Sequence, residues 1–282
     1  MSTSPLGVRE FDFRDEDFEA LRALVRSITG ISLGEQKREL VYGRLSRRLR
    51  ALRLASFKEY RARVASDPGE LAHLVNAITT NLTAFFRERH HFDYLRDQVL
   101  RPLAAKRRAA PRLRMWSAGC SSGEEPYSIA MTVLETLADL LHGDVDVRIL
   151  ATDLDSDMLA RARAGLYPLE RLASLGPARL GRFFDTQHDR GAAVSRVKPE
   201  VATLVTFKQL NLIDTLPMKG PLDVIFCRNT VIYFDKETQR DLFGRMAALQ
   251  RPGDLLFLGH SESLFKVSTE YTLIGRTIYR RE

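Results

Sequence analysis

Residues 113–128 read Leu-Arg-Met-Trp-Ser-Ala-Gly-Cys-Ser-Ser-Gly-Glu-Glu-Pro-Tyr-Ser, the pattern of a buried strand, a small-residue turn and a helix opening with two carboxylates beside a proline. Gly119 and Gly123 permit a sharp turn and close approach of backbone to a ligand, and Pro126 suits the first helical turn, where its missing N–H costs nothing. A turn of this kind at a helix N-terminus ordinarily receives a phosphate. Glu124 and Glu125 would repel one, so the expected guest is neutral or cationic at this end. A nucleoside bearing positive charge, such as S-adenosylmethionine with its sulfonium and amino groups, suits the segment better than NAD or ATP. The competing reading is a tight turn whose carboxylates only stabilise the dipole of the next helix.

Two further places carry chemistry. Asp153, in Ile149-Leu-Ala-Thr-Asp-Leu-Asp155, ends a predicted strand, where a carboxylate can accept both hydroxyls of a ribose. Capping of the following helix competes for such a residue, but Asp155 or Ser156 stands at the cap position and leaves Asp153 for the ribose. The run Phe226-Cys-Arg-Asn-Thr-Val-Ile-Tyr-Phe234 sets Arg228 and Asn229 directly after an apolar strand. Unpaired polar groups at a sheet edge are costly, and a ligand would supply the missing partner. Asn81-Leu-Thr-Ala-Phe-Phe-Arg-Glu88 reads by itself as a helix start with an aromatic core, and His90-His91 has no metal-ligand partners in the sequence. No Ser-His-Asp arrangement, phosphate-binding P-loop or plausible cysteine nucleophile is present, so hydrolase and kinase chemistry lack support.

The elements that must position these residues follow from periodicity. Phe18–Gly30, Glu35–Leu54, Ser56–Ser66 and Glu70–Thr80 show helical spacing separated by Gly, Ser or Asp-Pro-Gly breaks, giving a helical domain over residues 1–83. A long helix over Ala84–Leu100, capped by Asn81 or Thr83, and a basic linker make up residues 84–111. From Arg112 strands and helices alternate: strands at 112–118, 146–152, 203–208, 222–228, 254–259 and 271–280, with helices at 125–141, 156–164 and 236–250. That alternation predicts right-handed crossovers and a largely parallel sheet over residues 112–282, with ligands beyond the strand C-termini. Residues 166–203 interrupt it as a short antiparallel excursion, with strand character at Val194–Val197 and Leu204–Phe207.

Composition narrows the class. The 282 residues, 44% hydrophobic and 28% charged, suffice for one large or two modest domains. No apolar run reaches the roughly 18 residues of a membrane span and Met1–Glu10 has no signal-peptide core, so a cytoplasmic protein is expected. Two cysteines, Cys120 and Cys227, are too few for a disulfide scaffold or zinc site, and no metal is expected. Ten basic residues between Lys37 and Arg63 stand against Glu39 and Glu59, a local excess larger than the whole chain's +7. Val41, Leu45, Leu49 and Leu52 recur at helical spacing, which sets Arg44, Arg47, Arg48 and Arg50 mostly off the buried stripe. The positive face is either a solvated helix surface or a dock for an acidic partner.

Three separated motifs then converge. Asn81-Leu-Thr-x-Phe-Phe-Arg87, Trp116-Ser-Ala-x-x-Ser-Ser-Gly-Glu-Glu-Pro-Tyr-Ser128 and Phe226-Cys-Arg-Asn-x-x-Ile-Tyr-Phe-Asp235, with Gly259-His-Ser-Glu262 downstream, closely resemble the chemotaxis receptor methyltransferases of the CheR family. The resemblance implies an α/β, Rossmann-like S-adenosylmethionine-dependent methyltransferase fold with an N-terminal all-α domain and a small antiparallel β-subdomain inserted at 166–203. It implies methylation of glutamate side chains on the acidic cytoplasmic helices of chemoreceptors, with S-adenosylhomocysteine as product. Carried over by position, Asn81, Thr83, Arg87, Glu125, Asp153, Asn211, Leu212, Asn229 and Thr230 line the cofactor site. For the transfer itself Arg87 and Tyr233 are the candidates to orient the attacking carboxylate, and charge complementarity makes Arg44, Arg47, Arg48 and Arg50 candidates to dock an acidic receptor helix. The inserted subdomain is one that in the family can tether a receptor's C-terminal peptide. Nucleic acid and direct membrane contact are not expected, and nothing demands more than a monomer. The turn lacks the Gly-x-Gly-x-Gly pattern of many other methyltransferases, a departure the family shares.

Overall fold

The computed structural model describes residues 9–105, 112–137, 146–189 and 192–282. The chain divides into two compact units, Met1–Thr80 and Asn81–Glu282. Asn81, Leu82 and Thr83 therefore belong to the second unit rather than to the helical one.

The first unit is built from α1 (Asp15–Thr29), α2 (Arg38–Leu52), α3 (Phe57–Ser66) and α4 (Pro68–Ile78). Its boundaries follow local chemistry. Gly30 closes α1 in the left-handed region, Ser56 accepts the Glu59 N–H to start α3, and Asp67 caps α4 with Pro68 in the first turn. Phe18, Leu21, Val41, Leu45, Leu49, Phe57 and Leu74 are buried together, each aliphatic contributing roughly 1.5–3 kcal/mol of transfer free energy.

The predicted arginine face on α2 is only partly realised. Arg44 donates to the carbonyls of Ala77 (2.8 Å) and Thr79 (2.7 Å), satisfying the C-terminal end of α4. Arg48 forks onto Glu70, with Nε 2.8 and 3.0 Å from its two oxygens, and Glu70 is only 2% exposed. Both arginines are half-buried structural ties. Helical phase explains this: residues 41, 45 and 49 face the core, so 44 and 48 flank that stripe and meet α4, whereas Arg47 and Arg50 stay exposed. Arg50 pairs with the exposed Glu10.

In the second unit α5 (His90–Tyr94) runs through a π-helical turn at Leu95–Leu100 into α6 (Arg101–Ala105). Then come β1 (Arg112–Ala118), α7 (Glu124–Leu137), β2 (Asp146–Asp153), α8 (Ser156–Ala164), β3 (Leu166–Pro168), α9 (Leu169–Leu172), α10 (Gly176–Phe183), β4 (Phe184–Asp189), β5 (Ala192–Val197), α11 (Pro199–Ala202), β6 (Val205–Gln209), β7 (Val224–Cys227), α12 (Lys236–Ala248), β8 (Leu255–Leu258), β9 (Tyr271–Gly275) and β10 (Ile278–Arg281). The main sheet has the order β6-β2-β1-β7-β8-β10-β9. Its first five strands are parallel, and β10 joins antiparallel to β8 and β9. The order reverses between β1 and β7, so the turns after these two strands open at the switch point where such sheets bind ligands. Phe226 and Phe257 stack at 4.5 Å within the core beneath.

Several predicted elements differ. The long helix over Ala84–Leu100 starts only at His90, because Phe86 (φ 52°) and Glu88 (φ 58°) lie in the left-handed region, which no right-handed helix accommodates. Asn81 and Thr83 consequently cap nothing there. Val194–Val197 lies in the three-stranded antiparallel sheet β3-β5-β4, but Leu204–Phe207 leads into β6, paired parallel to β2, so the two segments are not partners. The final strand is a hairpin broken at Arg276-Thr277, where Thr277 has φ 54°. Residues 106–111 of the basic linker and 138–141 of the predicted helix lie outside the described residues.

Arg48→Ala strands the Glu70 carboxylate and is expected to lower stability by roughly 2–4 kcal/mol in urea unfolding, whereas Arg47→Ala stays within about 0.5 kcal/mol.

Candidate active site

The turn after β1 is shaped by its own neighbours. The N–H groups of Gly119 and Cys120 both donate to the Thr152 carbonyl at 2.8 and 2.9 Å, which ties the turn to the end of β2. Gly119 has φ 83°, and a Cβ there would lie 2.2 Å from Thr230 Oγ1; Gly123 has φ 97° and abuts Tyr167 Oη and Ala162. The close approaches demanding glycine are thus made first to protein, with the loops after β7 and in the inserted subdomain.

Asp153 stands at the end of β2. Its oxygens accept the N–H groups of Ser121 at 2.7 Å and Asp155 at 2.9 Å. Asp155 is the α8 cap, accepting from Asp157 and Met158. Burial raises the Asp153 pKa despite backbone donors, and a carboxylate offers about four lone-pair sites, enough for a further donor such as a ribose hydroxyl. Asn211 and Leu212 come just after β6, where the Leu210 N–H donates to the Asp153 main-chain carbonyl at 3.0 Å and ties that turn to the end of β2. Asn81 Nδ2 reaches Asp155 at 2.7 Å while its carbonyl accepts from Ser121 Oγ at 3.3 Å, so the 81–88 segment meets the turn.

The two glutamates that open α7 play different parts. Glu124 is fully buried, accepting from Ser122 Oγ at 2.7 Å and pairing with Arg171 of the inserted subdomain. It is a structural anchor, which resolves the sequence's ambiguity about it. Glu125 accepts from Ser117 Oγ at 2.7 Å and from Arg228 Nη1 at 2.9 Å, and burial raises its pKa in spite of both. Much of its charge is already countered by Arg228, which tempers the expectation that it repels anions.

Arg228 answers a question the sequence raised and answered differently. Its buried guanidinium pairs with Glu125, lies 3.4 Å from Glu88 Oε2 and donates Nη2 to the Arg87 carbonyl. Protein groups thus compensate the Nη atoms of Arg228, while its buried Nε has no hydrogen-bond partner among the described residues. Burial would raise the Glu88 pKa, but Arg228 and hydrogen bonds from His260 outweigh it and hold it below the ordinary carboxylate value. Arg87 itself is half-buried, with Nη1 2.8 Å from the Leu82 carbonyl.

Glu262 is the residue whose role sequence reasoning missed. Its buried carboxylate accepts the N–H groups of Asn229 (2.8 Å), Val231 (2.9 Å), Ile232 (3.3 Å) and Gly259 (2.7 Å), while burial still raises its pKa. It thereby folds the loop after β7 onto the loop after β8, and holds Asn229 at φ 56°. Thr230 Oγ1 turns back to the Ala118 and Arg228 carbonyls at 3.4 and 3.2 Å, and half-buried Tyr233 ends the single turn Val231–Tyr233. The signal for Glu262 was its place after β8 in Gly259-His-Ser-Glu, but only three-dimensional pairing reveals four converging donors.

His90 and His91 do acquire a third potential metal ligand, Glu88, with one ligand atom from each within 4.8 Å. The Arg228 guanidinium beside Glu88 opposes a divalent cation there. Burial, reinforced by Arg228 and His90, pushes the His91 pKa down to about 3.

Comparison with known proteins gives the family. Residues 81–280 match the model described as CheR methyltransferase, SAM binding domain, and residues 16–79 match CheR methyltransferase, all-alpha domain. The chain belongs to the CheR methyltransferase family. It is 49% identical over 274 residues to chemotaxis protein methyltransferase 2 of Pseudomonas aeruginosa, covering 97% of this chain and 95% of that one. It is 42% identical over 270 residues to the chemotaxis protein methyltransferase of Escherichia coli, covering 94% and 90%. The cofactor is S-adenosylmethionine, and the fold is the α/β methyltransferase fold with an all-α N-terminal region and a small antiparallel sheet. Among the described residues no helix is long and apolar enough to cross a membrane.

Glu262→Gln turns an amide NH2 toward N–H donors, so cofactor affinity is expected to fall about tenfold by calorimetry, with a stability loss of roughly 1–3 kcal/mol. Folded His91 stays neutral to about pH 3, whereas an unfolded histidine protonates near pH 6.5, so the unfolded chain binds more protons and stability falls as pH drops through that window. His91→Gln should flatten this acid limb in pH-dependent unfolding; an unchanged slope would refute the assignment.

Proposed function

We propose that this CheR-family methyltransferase is a protein-glutamate O-methyltransferase, moving a methyl group to the γ-carboxylates of glutamates on acidic cytoplasmic helices of chemoreceptors. The reading is carried by the chemotaxis methyltransferases that match nearly the full length of both chains. In it, Asn81, Thr83, Arg87, Glu125, Asp153, Asn211, Leu212, Asn229 and Thr230 line the cofactor site. Asp153 accepts the ribose hydroxyls, and Glu125 uses its remaining acceptor capacity for the amino group.

Bound S-adenosylmethionine supplies an electrophilic methyl on its sulfonium. The acceptor glutamate is already ionised at pH 7, with an ordinary pKa near 4.3, so no side chain need act as general base. The chain's task is to strip water from that carboxylate and fix its line of approach, because its negative charge is lost as the new C–O bond forms. Arg87 and Tyr233 are assigned to this. The Arg87 fork is steadied through Nη1 on the Leu82 carbonyl, leaving other donors to orient an oxygen. Tyr233 sits on the loop ordered by Glu262.

Receptor docking falls to the exposed part of α2. Arg44 and Arg48 serve the helical unit itself, so Arg47 and Arg50 are the residues available for charge complementarity with an acidic helix. Arg50 has an exposed partner in Glu10, a pair worth too little to withhold it from a receptor carboxylate.

Incubation with methyl-labelled S-adenosylmethionine and either a receptor cytoplasmic fragment or RNA tests the reading. Base-labile label on the receptor alone is expected; stable label on RNA, or none on either, contradicts it. Arg87→Ala and Tyr233→Phe are expected to lower kcat by roughly ten- to a hundredfold at saturating cofactor. Arg47→Glu with Arg50→Glu should raise the receptor KM while leaving cofactor affinity unchanged.

A further inference from the structure

The segment Asn81–Arg89 has no helical or sheet hydrogen-bond ladder to define it, yet it holds two residues, Phe86 and Glu88, in the left-handed region. Such conformations cost on the order of 1–3 kcal/mol each and persist only where surrounding contacts over-determine them. On its inner side the segment is gripped by Asp155, by Ser121, by Arg228 and by Ser128 Oγ, which accepts the Phe86 N–H at 2.9 Å.

On its outer side the grip comes from the inserted subdomain. Arg171 of α9 donates Nη2 both to the buried Glu124 carboxylate and to the Thr83 carbonyl, the latter at 3.2 Å. Glu124 in turn accepts from Ser122, so one guanidinium joins the β1 turn to the 81–88 segment. Arg179 of α10 places its guanidinium carbon 3.9 Å from the centre of the Phe86 ring while its Nε and Nη2 fork onto Glu135 of α7 at 2.7 and 2.9 Å. The Phe85 ring packs edge-on against Tyr167 (5.0 Å) and Phe184 (5.7 Å), and Tyr167 Oη donates to the Ser122 carbonyl at 2.6 Å. The aromatic pair thus braces the same two pieces of backbone that Arg171 bridges.

We propose that the inserted subdomain is a clamp that positions the 81–88 segment against the cofactor turn, with Arg171 and Arg179 as positioning residues that act through Thr83 and Phe86. The proposal rests on the assignment of Thr83 and Arg87 to the cofactor site. It gives the insertion a function in cofactor binding whether or not anything docks on it. Any partner bending the α9–α10 region would be felt at Thr83, since no flexible link lies between them: one side chain makes both contacts.

Paired neutral variants separate positioning from folding. Arg171→Met with Glu124→Gln removes the tie without leaving a bare buried carboxylate, and Arg179→Met with Glu135→Gln does the same for the second tie. In the full chain each pair is expected to weaken S-adenosylmethionine binding by calorimetry, and to raise its KM, on the order of ten- to a hundredfold, with the unfolding midpoint nearly retained. Arg182→Met is the control: Arg182 lies in the same helix but contacts Phe183 and the Leu134 carbonyl, not the segment, and its affinity should be unchanged. Folded pairs that bind the cofactor within twofold of the unaltered protein overturn the clamp while leaving the cofactor site standing. If the unaltered protein itself fails to bind S-adenosylmethionine, the site assignment falls, and the clamp with it.

Discussion

The site depends on one buried cation. A guanidinium taken out of water costs several kcal/mol unless carboxylates and carbonyls replace its hydration, and Arg228 meets that demand from three directions. Glu125 comes from the start of α7, Glu88 and the Arg87 carbonyl from the irregular segment before α5, and the Phe92 ring lies 5.7 Å away. None of these pieces of backbone can drift without exposing an uncompensated charge. The cost of burying Arg228 thereby becomes a positional constraint on the residues assigned to the cofactor.

Glu262 is the complementary case, an anion enclosed by backbone N–H groups. Four donors from two loops converge on one carboxylate, and they define where Asn229 and Thr230 stand relative to Gly119. Together the two buried charges organise the carboxyl edge of β1, β7 and β8. The inserted subdomain adds a third hold through Arg171, whose partner Glu124 is also fully buried. Preorganisation of this kind suits the proposed methyl transfer, which needs no general base and relies on orientation and water exclusion.

Much of this was legible in the sequence. Alternating apolar strands and capped helices after Arg112 announced a parallel sheet, and the Gly119–Gly123 turn and Asp153 lay at strand ends because that is where the switch point of such a sheet falls. What stayed hidden was pairing at long range. Arg228 reads from the sequence as a group awaiting a ligand because its partner in the fold is remote in the chain; Glu125 is 103 positions away. The helix expected over Ala84–Leu100 begins late because helical spacing of apolar residues says nothing of the tertiary contacts that hold Phe86 and Glu88 left-handed. Periodicity sets Arg44 and Arg48 off the buried stripe of α2, but it does not show α4, the neighbour that flanks that stripe and receives them.

The central claim is that buried charges assemble the site before the cofactor arrives. Amide hydrogen exchange on the cofactor-free protein tests it directly, followed at Phe86, Ser121, Asn229, Val231 and Gly259, whose N–H groups donate to Ser128, Asp153 and Glu262. The account predicts slow exchange at all five in the free protein and little further slowing when S-adenosylmethionine is added. Fast exchange at these amides that becomes slow only with cofactor would contradict it, because the ligand would then be building the site.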